Sequence, residues 1–257
     1  GLCDAPALAR QCAAEAETGV TTSTYGLGHH FNEELMVEMA RAGRGNAYYS
    51  DTADDLLDKF AEEFALLQAL CARQLQLLAR TPPGVRYALL NDYIAEGVGL
   101  WRLPDLAYGS EAWAVLRLQI DREHLDAASD QPVPVLEVEL AWTDRAGSLH
   151  SGGCATLALP ALPAAAFGAV AENMRVTARL AELDCAGLQR QARLAARQGD
   201  WPRVEQLLDR ARRRAVDHPW LEAVVSEMEQ LMVARDAERF SKESYYSSER
   251  MTSRLAA

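Results

Sequence analysis

The sequence predicts a multi-domain α+β chain of three parts. A partial doubly wound α/β domain covers 1–70, an antiparallel β-sandwich covers 71–163, and an α-helical region covers 164–257. Two observations predict these parts. Apolar residues recur with a helical period in the first and last parts and with a period of two between them. In the first part, two strand-like runs alternate with the helices, and this alternation is typical of a parallel sheet covered by helices.

Five elements follow one another in the first part. A helix over 4–17 has an aspartate cap and a proline in its first turn, and the β-branched run "GVTTSTYGLG" comes next. A second helix begins at Asn32 and ends at Gly43, before the short strand "GNAYYS". Either Asp51 or Thr52 caps a third helix, whose apolar residues share one face: Leu56, Leu57, Phe60, Phe64 and Leu67.

The second part consists of strand-length runs separated by turns. The runs are "RQLQLLAR", "GVRYALLND", "AWAVLRLQID", "PVLEVELAWTD" and "HSGGCATLALP". Proline, glycine, serine or aspartate marks the turns at 81–84, 108–110 and 144–147. Several short strands with two-residue alternation predict an antiparallel β-sandwich.

The third part is helical to its end. One long helix is predicted over 164–198, with a break or bend near 184–187. A second helix begins after Gly199 and a third near 217–220. The pair around Gly199 resembles one tetratricopeptide-type hairpin, but such repeats need about three copies to bury a common core. We therefore interpret these helices as a helical appendage.

Charge and cysteine content narrow the class of protein. The formal net charge is −11, which argues against nucleic-acid and anionic-membrane partners. The five cysteines are odd in number and form no C-x-x-C pair, so we expect reduced thiols and a cytoplasmic location. No run reaches the roughly 18 uncharged apolar residues that a membrane span needs, and no signal peptide is visible at the N-terminus.

The stretch over 19–67 carries a recognisable pattern. Its features occur in a fixed order: a strand ending in Gly26-Leu27-Gly28, a helix opened by Phe31-Asn32-Glu33-Glu34-Leu35, Gly43 and Gly45 before an aromatic strand, and Asp51 before the last helix. These features resemble the C-terminal half of a von Willebrand factor type A (vWA) domain. The resemblance is to bacterial vWA proteins often described as calcium-activated chloride channel homologues, and it covers about a quarter of the chain, residues 4–70.

The resemblance implies a metal site in the intact family domain. Such domains hold Mg²⁺ or Mn²⁺ with a D-x-S-x-S loop, a threonine and an aspartate, and hard oxygen ligands suit these cations. No D-x-S-x-S occurs in this sequence. We therefore assign no metal ligand, no cofactor and no catalytic residue to this chain.

Two strands with three helices leave an unpaired sheet edge. Such a half-sheet is not expected to be stable alone, so we expect the chain to be part of a longer protein. The exposed edge is then covered either by the sandwich or by a second copy of the chain, which would form a homodimer.

Two short stretches contain candidate partner-contact residues. His29, His30 and Phe31 follow the first strand at the rim of the sheet, where two histidines without further ligands predict a surface loop rather than a metal site. Tyr245 and Tyr246 lie in "YYSSER" near the C-terminus. That segment extends the last helix, docks on the sandwich or binds a partner, and we favour docking.

These inferences predict a non-enzymatic interaction or scaffold protein of the vWA family that binds a protein partner. No catalytic motif such as G-x-S-x-G or H-E-x-x-H is present. The alternative is an accessory subunit of an enzyme or AAA-type ATPase system, whose chemistry or metal-gated docking lies outside this chain.

Overall fold

A computed structural model of the protein describes residues 4–28, 30–50, 52–121 and 131–253. The helices are α1 (Ala5–Glu17), α2 (Glu33–Ala42), α3 (Ala53–Ala69), α4 (Ala164–Phe167), α5 (Met174–Arg197), α6 (Trp201–Ala215), α7 (Pro219–Ala234) and α8 (Ala237–Ser253). The strands are β1 (Thr22–Leu27), β2 (Arg44–Ser50), β3 (Leu70–Arg80), β4 (Val85–Leu89), β5 (Ile94–Gly97), β6 (Leu100–Arg102), β7 (Leu106–Ala107), β8 (Leu116–Ile120), β9 (Val133–Thr143) and β10 (Leu149–Leu159).

The described residues group into two units. Residues 4–69 and 184–251 form the first unit, and residues 70–183 belong to the second. Segments from the two ends of the chain thus share one unit.

A pair of parallel strands, β1 and β2, is the sheet of the first unit. The Asn32 side chain caps α2 by accepting a hydrogen bond from the Leu35 amide at 3.1 Å. Glycine allows the two strands to approach, because a Cβ atom on Gly45 would lie 2.3 Å from the Thr22 carbonyl oxygen. Helix, strand, helix, strand and helix follow one another here as the sequence pattern predicts.

Helix α3 turns a polar face towards the strands and an apolar face towards solvent. Glu63 is 4% exposed. The exposed fractions of the apolar face are far larger: 68% for Leu57, 57% for Phe60, 56% for Phe64 and 42% for Leu67. We call these four side chains the α3 stripe.

The C-terminal helices supply most of the buried apolar side chains of the first unit. Helix α6 begins after Asp200, whose side chain accepts a hydrogen bond from the Arg203 amide at 3.1 Å. Helices α6 and α7 bury successive apolar residues: Val204, Leu207, Leu208, Ala211, Leu221, Val225 and Met228. Phe240 of α8 is 0% exposed, and its ring meets the Trp201 ring edge-on at 6.2 Å.

The long helix predicted over 164–198 is interrupted at a different place. The bend near 184–187 is wrong, because α5 is continuous from Met174 to Arg197. The interruption lies between α4 and α5. There the Asn173 side chain accepts hydrogen bonds from the amides of Arg175 at 3.0 Å and Val176 at 3.3 Å, and so starts α5.

Two antiparallel sheets make up most of the second unit. The larger sheet has the strand order β10-β9-β3-β6-β5, with β7 also paired to β3. The smaller sheet is the β4–β8 pair. Side chains of both sheets share a core around Ala79, Val85, Val135 and Leu136, and the Tyr87 hydroxyl donates to the Ala79 carbonyl at 3.0 Å.

Among the described helices, none is both long enough and apolar enough to cross a membrane.

Candidate functional site

Aromatic rings from both ends of the chain meet in the first unit. Phe31 lies 5.8 Å from Tyr49 between ring centroids, and Tyr49 stacks on Tyr246 at 5.7 Å. Tyr245 packs against the same group. We call Phe31, Tyr49, Tyr245 and Tyr246 the aromatic cluster. It attaches α8 to the segment that follows β1 and to β2.

Glycine makes room for this cluster. A Cβ atom on Gly26 would lie 2.2 Å from the Phe31 ring, so the ring folds back over the backbone of β1. The glycine turn after β1 therefore serves ring packing within the chain.

Polar contacts surround the aromatic cluster. Lys242 is 1% exposed. Its ammonium lies 4.5 Å from the centre of the Phe31 ring and 3.3 Å from the Glu238 carboxylate, so a ring face and an anion both stabilise the buried charge. The Ser241 hydroxyl donates to Glu33 at 3.0 Å.

A second group of contacts connects α5 with α2. The Glu34 carboxylate accepts from Arg193 at 2.8 Å and from Arg197 at 2.5 Å. The Arg193 guanidinium also lies 4.0 Å above the centre of the Tyr245 ring. Arg193 is 9% exposed, whereas the Arg197 side chain is 46% exposed.

The difference in burial between the two arginines leads to a testable prediction. We expect Arg193→Ala to lower the free energy of unfolding of the first unit by about 2–3 kcal/mol, because a desolvated ion pair and a cation–π contact are lost together. The matched Arg197→Ala change is expected to cost less than about 1 kcal/mol. Urea denaturation measures both values, and equal losses would contradict the assignment.

Tyr246 is buried among these groups. It is 7% exposed, and its hydroxyl has no hydrogen-bond partner within the described part of the chain. Burial first, and then the charge of Glu33, raise the pKa of Tyr246. The phenol is consequently neutral throughout the physiological range.

The structure brings together four of the five residues that the sequence singled out as partner contacts. Phe31, Tyr245 and Tyr246 pack on one another in the aromatic cluster. His30 lies at its edge, 3.8 Å from Glu238, with a side chain that is 94% exposed. His29 lies outside the described residues. The α8 tyrosines pack within the first unit, on the segment that follows β1 and on β2, whereas the docking favoured from the sequence was on the sandwich.

Sequence reasoning missed a second polar site, between α3 and the two strands. The buried Glu63 carboxylate accepts from Ser23, from the Asn46 amide at 2.8 Å and from the Tyr48 hydroxyl at 2.6 Å. Burial and Glu63 together raise the pKa of Tyr48. The signal for this site is a polar pattern, since Glu63 lies on the opposite face of α3 from the apolar side chains.

These residues do not fit the metal site of an intact vWA domain. Within the described ranges, no group of three or more histidine, cysteine or acidic side chains is placed to hold a metal ion. The three donors around Glu63 point hydrogens at its carboxylate, which satisfies it without a cation. Gly28 follows the C-terminal end of β1 and offers no side-chain ligand.

Comparison with known proteins identifies the fold. No family model and no curated protein matches the sequence. Among solved structures, the chain is similar to a von Willebrand factor type A protein from Catenulispora acidiphila, with a TM-score of 0.67, 13% identity, 95% of this chain covered and 62% of that chain covered. It is also similar to the ArnB paralog VWA2 from Sulfolobus acidocaldarius, with a TM-score of 0.55, 14% identity and coverage of 89% and 54%.

At these identities the likeness concerns the fold alone. The chain spans about 62% of the length of the first of these structures and 54% of the second. Its mixed α/β architecture follows theirs over nearly its whole length, and in this respect the resemblance seen over 4–70 is confirmed. The chain therefore has the fold of von Willebrand factor type A proteins.

Proposed function

We propose that this chain is a non-enzymatic protein–protein interaction and scaffold protein of the vWA type, acting without a bound cofactor. The observation that carries the proposal is the α3 stripe. Its four large apolar side chains are 42–68% exposed on one face of a 17-residue helix. Contiguous exposed apolar surface of this kind marks binding sites in soluble proteins.

The surroundings of the stripe indicate the chemistry of its partner. Acidic side chains border it on the same helix, at Asp54, Asp55, Asp58 and Glu62, and Lys59 is the basic residue among them. An apolar strip with an acidic rim suits an apolar surface edged by lysine or arginine, because rim charges steer association and the apolar centre supplies affinity.

The finer family assignment is also part of the proposal. The features over 19–67 support a bacterial protein of the calcium-activated chloride channel homologue type, and we place this chain in its C-terminal portion. The two-stranded sheet β1–β2 supports this placement, since vWA sheets are larger and one edge of β1 is unpaired within the described residues. The unpaired thiols Cys12, Cys71, Cys154 and Cys185 support a cytoplasmic location.

The α3 stripe is tested by a double substitution. We expect Phe60→Ser with Phe64→Ser to weaken capture of the partner from source cells by the tagged full chain at least about tenfold, because two apolar anchors are lost. The fold is expected to persist, since both rings already face solvent. Cross-linking mass spectrometry identifies the partner and maps its contacts to α3.

The matched control changes two exposed polar residues of the same helix, Glu62→Ser with Gln68→Ser. Capture within about threefold of the parent is expected for this variant. Undiminished capture by the phenylalanine variant, with a circular dichroism spectrum like that of the parent, would contradict the proposal.

A further inference from the structure

Strand β10 is an edge strand that is open on every side but one. It pairs with β9, and within the described residues no strand pairs with its other edge. All eleven of its residues are exposed. The apolar ones include Leu149 at 78%, Leu157 at 42% and Leu159 at 36%. Unprotected edges of this kind accept a further strand, because their backbone donors and acceptors lack partners.

The composition of β10 suits a second copy of itself. One residue in four of the chain is charged, 25% in all, yet the strand "LHSGGCATLAL" contains no aspartate, glutamate, lysine or arginine. Two chains that each carry a net charge of −11 repel one another over most of their surface. An uncharged strand is a place where two copies can meet without opposing like charges.

The backbone of β10 defines the segment available for pairing. The register with β9 shifts between Ser151 and Cys154, where Gly153 has a φ of +75°, so β10 bulges there. From Cys154 to Leu159 the strand is regular on its own side. Pro160 follows and has no amide hydrogen to donate.

A two-fold axis perpendicular to the sheet keeps the faces of both copies aligned, so it must pass through a residue that opposes itself. If the axis passes near Thr156, Thr156 faces its own copy, and Ala155 faces Leu157. Threonine pairs and apolar pairs are favourable cross-strand neighbours. The regular segment is thus complementary to itself.

We propose that β10 pairs antiparallel with β10 of a second copy of this chain, centred on Thr156, and so forms a homodimer with a continuous sheet. This proposal is independent of the α3 stripe and of its partner. Antiparallel neighbours place opposing Cα atoms about 4.5–5.5 Å apart, within the range of a disulfide. In this register the two Cys154 residues lie roughly 13 Å apart and cannot form one.

Cysteine scanning tests the pairing. In the full chain with Cys3, Cys71 and Cys154 changed to serine, single cysteines are introduced at each position from 154 to 158 and oxidised. We expect disulfide-linked dimer to peak for Thr156→Cys and to fall on either side. A peak at another of these positions also supports edge pairing and moves its centre. The absence of dimer at all five positions would overturn the proposal.

A charge placed on the strand gives a second readout without cysteines. By light scattering after size exclusion, we expect the parent chain to have twice the chain mass and Thr156→Lys to be monomeric, because two ammonium groups then face each other. The matched control is Ala95→Lys, an exposed position on β5 at the opposite edge of the same sheet, and it should remain dimeric. A monomeric parent at all concentrations, or loss of the dimer in both variants, would overturn the proposal.

Discussion

Replacing Phe240 by alanine lowers the free energy of unfolding of the first unit by about 3–5 kcal/mol, the loss expected when a buried aromatic side chain is removed from a packed core. Phe240 is 0% exposed, and its ring lies 6.2 Å from the Trp201 ring. Because it anchors α8, we also expect faster proteolysis within that helix. Urea denaturation followed by tryptophan fluorescence measures the change, since Trp201 reports directly on the contact.

The control for Phe240 is a phenylalanine that faces solvent. Phe64 is 56% exposed, so Phe64→Ala is expected to change the free energy of unfolding by less than about 1 kcal/mol. Equal losses for the two variants would show that α8 is not anchored as described here.

Removing the buried carboxylate of Glu63 is expected to cost about 2–4 kcal/mol. Glu63→Ala leaves Ser23, Asn46 and Tyr48 without their acceptor, and each buried donor left unpaired costs about 1–3 kcal/mol unless water reaches it. Chemical denaturation measures the loss. Glu62→Ala is the matched control, because Glu62 is the exposed neighbour on the same helix, and it should change stability by less than about 0.5 kcal/mol.

The titration of Tyr48 provides a specific readout of the same contact. Its pKa is raised by burial and by Glu63, so Glu63→Ala should lower the pKa of Tyr48 towards the usual value of 10.0. Phenolate absorbance records this shift. Since the folded pKa lies above the unfolded one, the native state keeps a proton that the unfolded state releases, and stability of the parent falls as the pH rises above about 10. An unchanged Tyr48 titration in Glu63→Ala would contradict the assigned contact.

The aromatic cluster shows why site prediction from sequence was only partial. Phe31 and Tyr246 each stand out locally, one after a glycine turn and the other in a tyrosine-serine segment. Their proximity depends on contacts between residues that are far apart, such as Glu33 and Ser241, which are 208 positions apart. Local periodicity carries no information about such pairs, so the tyrosines could be assigned to docking but not to the surface on which they dock.

Helix α3 illustrates a different limit. Its apolar residues share one face, as the periodicity predicts, yet that face is exposed and Glu63 is buried. An amphipathic pattern reports which residues lie together on a helix. It does not report which face meets the strands, because that depends on the donors that β1 and β2 present. Ser23, Asn46 and Tyr48 supply three of them and so favour the polar face.

The sequence by itself determined the elements of this protein, because helix caps, glycine turns and hydrophobic periods act over a few residues. It also carried the resemblance to vWA proteins over 4–70, whose fold the chain shares. Only the tertiary structure decided that the C-terminal helices join the N-terminal segment in one unit, that Glu63 is buried and that β10 is open. Each of these depends on long-range packing, where the side chains of one segment must satisfy the charges, donors and apolar area that another segment presents.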